Sequence, residues 1–248
     1  MGSIQAFPGR PGAGTLADVW RLAPVAGDIV RVRSTRREDY AAIRAVQRES
    51  SAHVPPWSLR QLEGQVQAFP EGQLVAVSEG RVCGAAAALV VDWSEYGAQH
   101  TWREITGDGL FATHSARGDT LYCAVVATDT SRRGFGIART LVQAQRRLCR
   151  RLNLPRVIAT TRLPGYASHA QALSPEEYAM RVVWGDFEDP DLRLRLAQGF
   201  QFCGVLRGYL PEDAESGGNA ALVAWINPLH APPKPPASIA SERRRKAA

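Results

Sequence analysis

The sequence predicts an α/β fold of the mixed α+β kind: a central, mostly antiparallel sheet with one parallel strand pair and flanking helices. Three observations carry that prediction. Two apolar runs, QLVAVSE (73–79) and VCGAAAALVVDW (82–93), are separated only by Gly80-Arg81, which marks an antiparallel hairpin. A strand, a loop, an amphipathic helix and a second strand follow one another over 120–161, and such a helical crossover makes the two strands parallel neighbours. Two more strands close the chain over 200–227 after two further helix openings, an order that suits a mixed sheet better than an all-parallel one.

Residues 1–28 are rich in Gly, Pro and Ala and read as a loose leader, with room for a short helix at LADVWRLA. The first strand is IVRVRS (29–34), where Ile29, Arg31 and Arg33 alternate with Val30, Val32 and Ser34. Thr35 and Glu38 have capping-box spacing and open a helix with Tyr40, Ile43, Val46 and Gln47 inside. Pro55-Pro56-Trp57-Ser58, with Gln61 following, opens a second helix. The polar stretch 94–118 is long for a connection, and loops of that length in compact domains are functional or disordered. TLYCAVVAT (120–128) is mostly apolar without alternation and reads as a strand buried on both faces.

In the next helix Ile137, Leu141, Ala144, Leu148 and Leu152 share one face, and Arg139, Gln143, Arg146, Arg147 and Arg150 fill the other. Asn153 and Pro155 stop it before the strand RVIATT (156–161). Ser174-Pro175-Glu176-Glu177 opens a helix with a Ser cap, Pro first and Glu third. Asp189-Pro190 opens DLRLRLAQ, which Gly199 ends. The final strands lie in FQFCGVLRGYL (200–210) and AALVAWIN (220–227), joined by an acidic, flexible loop, PEDAESGGN.

The chain of 248 residues, 45% hydrophobic and 22% charged, has the composition of a soluble globular protein with room for one sizeable domain. Its longest strongly apolar run, VCGAAAALVV, is far short of the ~20 residues that span a bilayer. The N-terminus lacks signal-peptide form, so the expected location is the cytoplasm, without a membrane partner. Cys83, Cys123, Cys149 and Cys203 form no CxxC pair, which favours buried thiols over metal or disulfide. The net charge of +6 is concentrated at the end: the Pro-rich, basic tail has five basic residues, including both lysines, against one acid. The remaining body, at +2, does not have the basic footprint of a nucleic-acid binder. The expected organisation is a leader (1–28), one domain (29–229) and a disordered tail (230–248).

The chemistry is concentrated in SRRGFGIARTL (131–141), a glycine loop between an apolar strand and a helix. A helix N-terminus offers free N–H groups to phosphate. No Lys follows either glycine, so this is not an ATP-type phosphate loop; Arg139 stands where a dinucleotide fingerprint has its third glycine. The pattern [Q/R]-x-x-G-x-[G/A] is met by Arg133-Gly134-Phe135-Gly136-Ile137-Ala138. With Gly199-Phe200 after a short helix, and the hairpin upstream, the chain over roughly 29–228 resembles the GNAT superfamily of acyl-CoA-dependent N-acyltransferases. RLCRRLNLPRV, TTRLPGY, LSPEEY and the terminal WINP are similar to the acetyltransferase domain found fused to nitrilase-type carbon–nitrogen hydrolases.

That resemblance implies acetyl-CoA as acyl-donor co-substrate, no metal, and transfer of acetyl to a primary amine on a small molecule or peptide. It also implies a splayed strand pair, in which Val126, Ala127 and Thr128 hold the pantetheine arm, with the pyrophosphate on residues 133–139, Arg133 to Arg139. The superfamily's usual acid is a Tyr four residues before the Gly of the GF pair; here that position is Arg195, which cannot donate a proton near neutrality. Either the thiolate leaves stabilised by Arg195, or another residue, Tyr122, Tyr166 or Tyr178, supplies the proton. For the base, Glu177, His114 and His169 are open choices. Trp102, Phe111 and His114, in the long connection, are expected to wall the acceptor site. The alternative reading is a non-catalytic acyl-CoA-binding module in which Arg195 marks lost acid catalysis. A homodimer is left open.

Overall fold

The structure, a computed structural model, describes residues 30–51, 54–97 and 99–232. The expected leader, with its short helix, and all but the first three residues of the expected tail lie outside the described residues.

Seven strands form one sheet: β1 (Arg31–Ser34), β2 (Gln73–Ser78), β3 (Arg81–Val91), β4 (Thr120–Thr128), β5 (Arg156–Arg162), β6 (Gln201–Leu206) and β7 (Ala220–Ile226). Their order is β1-β2-β3-β4-β5-β7-β6, and every neighbouring pair is antiparallel except β4–β5. The helices are α1 (Tyr40–Ser50), α2 (Leu59–Ala68), α3 (Trp93–Tyr96), α4 (Trp102–Thr106), α5 (Ile137–Arg151), α6 (Pro175–Trp184) and α7 (Pro190–Ala197). One face of the sheet packs α1, α2 and α4 through Tyr40, Ile43, Leu62 and Ile105. The other packs α5, α6 and α7 through Leu148, Tyr178, Val182 and Leu192. The alanine run of β3 keeps both approaches close. Gly84 goes further: a Cβ there would lie 2.7 Å from Ile137 Cγ2, so its absence seats the start of α5 on the sheet.

Several local expectations hold for the expected reasons. Tyr40, Ile43, Val46 and Gln47 are the buried face of α1. Ser58 and Gln61 close a reciprocal cap on α2, and Ser174 and Glu177 do so on α6. Asn153 takes a left-handed φ of 52° just after α5.

Others shift. The first helix is opened by Asp39 rather than by Thr35 and Glu38: Asp39 accepts the Arg36 N–H at 2.8 Å and is gripped by Arg33 at 2.6 and 2.8 Å. The hairpin turn is Glu79-Gly80, with φ of 50° and 75°, as a two-residue type I′ turn requires, and Arg81 already pairs with Ser78. Leu152 falls beyond α5 and is 38% exposed, while Val142, Gln145 and Cys149 join the buried face. The loop PEDAESGGN is tied down rather than loose, because Asp213 is buried and bonded twice to Arg162.

The pairing of β4 positions the site. β4 pairs with β5 only over Thr120–Cys123 against Arg156–Ala159. Its register on β3 slips between Ala87↔Val125 and Ala88↔Cys123, which leaves Ala124 as a bulge. A bulge bends and twists its strand. Beyond it β4 stays with β3, while Thr160, Thr161 and Arg162 of β5 stay with β7. The parallel pair is therefore splayed.

Candidate active site

A cavity of about 330 Å³ occupies the gap between the parted strands. Its floor is Ala124–Thr128 on β4, and its opposite wall is Thr160, Thr161 and Arg162 on β5. Because β4 has no partner on this side after Cys123, its backbone polar groups here are open to a ligand. Val126, Ala127, Thr128 and Ala138, four of the expected cofactor positions, line the cavity.

The glycine loop stands beside it. Asp129 accepts the Ser131 N–H at 2.9 Å and the Ser131 hydroxyl at 2.6 Å, fixing the turn out of β4. Gly134 and Gly136 have φ of 89° and 70°, a region that favours glycine, and a Cβ at either would meet nothing within 4 Å. Glycine is thus required by backbone conformation, and the space over it is open. Gly136 is the N-cap of α5, whose first-turn N–H groups have no intrahelical acceptor. Ile137 is 3% exposed and anchors the loop in the core, whereas Arg133, Phe135 and Arg139 are exposed around it.

A chain of hydroxyl groups lies behind the β5 wall. Thr160 Oγ1 donates to Tyr209 Oη at 2.8 Å, and Tyr209 Oη lies 2.8 Å from Tyr122 Oη. Tyr122 Oη lies 3.1 Å from His100 Nε2. His100 Nδ1 faces the Gly97 carbonyl at 3.2 Å, and since a carbonyl only accepts, Nδ1 carries the proton and Nε2 accepts from Tyr122. The chain therefore runs in one direction, from Thr160 through Tyr209 and Tyr122 to His100. Burial lowers the His100 pKa, in keeping with a neutral ring. Burial pushes Tyr209 up to about 12 and, with Tyr209 beside it, pushes Tyr122 well above an ordinary phenol. Thr160 and Tyr209 line the cavity; Tyr122, fully buried, reaches it only through them.

The charges on the cavity wall are uneven. Arg162 is held by Asp213 and Glu215, and Arg103 by Glu212. On α7, Asp191 and Arg195 line the cavity without such partners. Arg195 is 3% exposed, makes no hydrogen bond within the described residues, and stacks over Phe200 at 5.3 Å. Burial lowers its pKa. Asp191 is half-buried; burial and neighbouring Asp189 push it up to about 6, against the pull of Arg162 and Arg195.

Trp102 lines the cavity as expected of an acceptor wall, and Trp57 joins it. Phe111 and His114 do not line it. Phe111 is fully buried, edge-on to Trp57 at 6.5 Å. His114 accepts the Val90 N–H through Nδ1 at 3.1 Å and stacks on Phe69 at 4.6 Å, so it braces the connection from behind. Tyr166 also lies away from the cavity: its hydroxyl donates to the Leu173 carbonyl at 3.2 Å and its ring packs on Tyr178. Tyr178 donates to Asp189 at 2.9 Å, Glu177 is spent on its cap, and His169 stacks on Phe187. Sequence reasoning missed Tyr209, Thr160, His100 and Asp191. Only Asp191 had a signal, its spacing of four from Arg195 on one helix.

A strand pair parted beside a glycine-hinged helix start defines the acyl-CoA-dependent acyltransferases as a class. The chain belongs to the acetyltransferase (GNAT) family, whose family model matches residues 36–171. Two curated relatives come from Bacillus subtilis (strain 168). The "Uncharacterized N-acetyltransferase YkwB" is 33% identical over 171 residues, covering 69% of this chain and 75% of that protein. The "Probable hydrolase YhcX" is 32% identical over 196 residues, 79% of this chain but 38% of that protein, so this chain spans less than two-fifths of its length. That partial match to a hydrolase-named protein agrees with the likeness to a fused acetyltransferase domain. Among solved structures, a GphF GNAT-like decarboxylase in complex with isobutyryl-CoA superimposes with a TM-score of 0.69 at 25% identity, covering 79% of this chain and 99% of that one. Among the described residues no group of three or more His, Cys, Asp or Glu could hold a metal, and no helix is long and apolar enough to cross a membrane.

Proposed function

We propose that the protein transfers acetyl from acetyl-CoA to a primary amine on a small molecule or peptide, by direct attack and in the cytoplasm. The observation that supports this best is the parting of β4 and β5 at Ala124, which opens a strand edge onto the cavity beside the α5 N-terminus. In this reading the pantetheine arm bonds the free edge at Val126, Ala127 and Thr128. The pyrophosphate takes the N–H groups from Gly134 to Ala138, with Arg133 and Arg139 at the rim. A β4 N–H faces the thioester oxygen, where a preorganised donor is worth a few kcal/mol to the transition state.

The acceptor ammonium gives one proton to Asp191. Its nitrogen attacks the thioester carbon, the C–N bond forms and the C–S bond breaks. Tyr209 turns its hydroxyl proton from Tyr122 to the cavity and protonates the departing thiolate, and the nitrogen's second proton replaces the one Tyr209 gave. Tyr122 positions Tyr209 from behind. The test is a calorimetric titration with acetyl-CoA on the wild type and Gly136→Glu, followed by turnover with a panel of amines. Binding lost in a folded Gly136→Glu variant, together with amine-dependent thiol release, is the expected result. No binding by the wild type overturns the reading, and binding without turnover points to an acyl-CoA-binding module.

A second reading, decarboxylation of an acyl-CoA that carries its own carboxylate, is favoured by the 25% identity to the GphF decarboxylase and by the unpaired guanidinium of Arg195. The C–C bond to the carboxylate would break, carbon dioxide would leave, and the resulting carbanion would take a proton. Conversion of malonyl-CoA to acetyl-CoA without any amine would support it.

A further inference from the structure

Among the described residues, every charged group on the cavity wall closes a salt bridge except two. Arg162 faces Asp213 and Glu215 at 2.6 and 2.5 Å, and Arg103 faces Glu212 at 2.9 Å. Asp191 and Arg195 remain. They stand four residues apart on α7, so both side chains project from one helix face, with β-carbons about 6 Å apart. An acid four residues before a base is the spacing that ordinarily closes an ion pair. Here the two feel each other's charge but close no salt bridge, and Arg195 Nη1 is buried without a hydrogen-bond partner among the described residues.

A guanidinium that is 3% exposed and has no hydrogen-bonded anion is costly to the fold. Phe200 offers only a stacking surface, at 5.3 Å. The cavity therefore presents one anionic and one cationic receptor, a helical turn apart, each wanting its opposite. A plain amine would satisfy Asp191 and leave Arg195 bare. An acidic ligand alone would do the reverse. One small molecule with both an ammonium and a carboxylate satisfies both.

We propose that the acceptor is a free amino acid, its ammonium received by Asp191 and its carboxylate by Arg195. The inference rests on the acetyltransferase reading and narrows it. Trp57 and Trp102, on the other side of the cavity, supply an apolar wall for the side chain. In this role Arg195 replaces the superfamily's usual Tyr for recognition, and the proton for the thiolate comes from Tyr209.

The test is binding, with turnover read separately. The full chain is saturated with coenzyme A and titrated calorimetrically with the proteinogenic L-amino acids, their carboxamides, and the matching acids that lack the amine. At least one amino acid is expected to bind tenfold or more tighter than both of its analogues. Arg195→Gln should remove the preference over the carboxamide, and Asp191→Asn the preference over the amine-free acid. Carboxamides that bind as well as the amino acids, or no ligand binding to a protein that holds coenzyme A, would overturn the proposal. So would an Arg195→Gln variant that slows transfer equally to carboxylate-free amines, since Arg195 would then serve the leaving thiolate. Tightening by malonyl-CoA over acetyl-CoA that Arg195→Gln abolishes, with no amino acid selectivity, would assign the carboxylate to the acyl donor instead. The selective binding expected here, without acetyl transfer, would leave the amino acid site standing and remove the acetyltransferase reading.

Discussion

The Arg162 guanidinium holds both carboxylate oxygens of Asp213 at 2.6 Å, joining the free end of β5 to the loop between β6 and β7. The clamp spans the splay and keeps the β5 wall of the cavity in place where no β4 partner does.

Asp213→Asn should lower stability by ~3 kcal/mol at pH 7, because it breaks a buried charge pair and leaves Arg162 only the half-exposed Glu215. Burial pushes the Asp213 carboxyl up, but hydrogen bonds from Arg162 and Ser216 outweigh it and hold the pKa below its ordinary value. A depressed carboxyl stabilises the fold above its unfolded pKa and loses that contribution as pH falls through the folded one. The gap between wild type and variant, measured by urea unfolding, should therefore narrow as pH drops below about 4.

Tyr209→Phe should lower kcat about a hundredfold with little change in acetyl-CoA affinity, the scale of a lost general acid. Tyr122→Phe, one hydrogen bond further from the cavity, should lower it less, about tenfold, by freeing Tyr209 to turn. Steady-state kinetics on both variants check the order; equal effects would show that the two hydroxyl groups act as one unit.

Asp191 gives a pH signature of the opposite sign to Asp213. Burial and Asp189 raise it to about 6, with Arg162 and Arg195 pulling down and Asp213 also facing it. A raised carboxyl contributes stability below its unfolded pKa of about 4, and that contribution is lost as pH rises through 6. Asp191→Asn should thus be more stable than wild type at pH 7, by on the order of 2 kcal/mol, and show no gain at pH 4. Acceptor affinity should run the other way in the wild type, strengthening as pH rises through about 6, and the variant should lose that dependence.

Trp102 and Phe111 separate wall from core. Trp102→Ala should weaken acceptor binding about tenfold with stability reduced less than by loss of a core aromatic, because Trp102 lines the cavity and is only partly buried. Phe111→Ala should cost about 3–5 kcal/mol, as for a fully buried aromatic, and act on binding only through Trp57. Thermal unfolding beside acceptor titration tells the two apart.

The sequence by itself determined the parts whose physics is local. Alternation and apolar runs marked the strands, the Ser58 and Ser174 caps marked helix starts, and the crossover from β4 through α5 made β4–β5 parallel. The glycine loop was legible because a left-handed turn before a helix restricts residue choice at Gly134 and Gly136. The Asp39 cap was misread because Arg33, six residues earlier, decides which carboxylate turns inward. Only the tertiary structure decided which polar side chains meet at the cavity. Tyr122 and Tyr209 are separated by 87 positions and Arg162 and Asp213 by 51, and no local periodicity relates them. The same holds for what was excluded: Tyr166 and His114 have suitable chemistry, but sheet packing turned their polar atoms to the Leu173 carbonyl and the Val90 N–H. Spacing along the chain fixes a residue's face on its own element. Which face becomes the wall of a site is set by where two strands part, and that follows from one bulge at Ala124 and the pairing choices of β5.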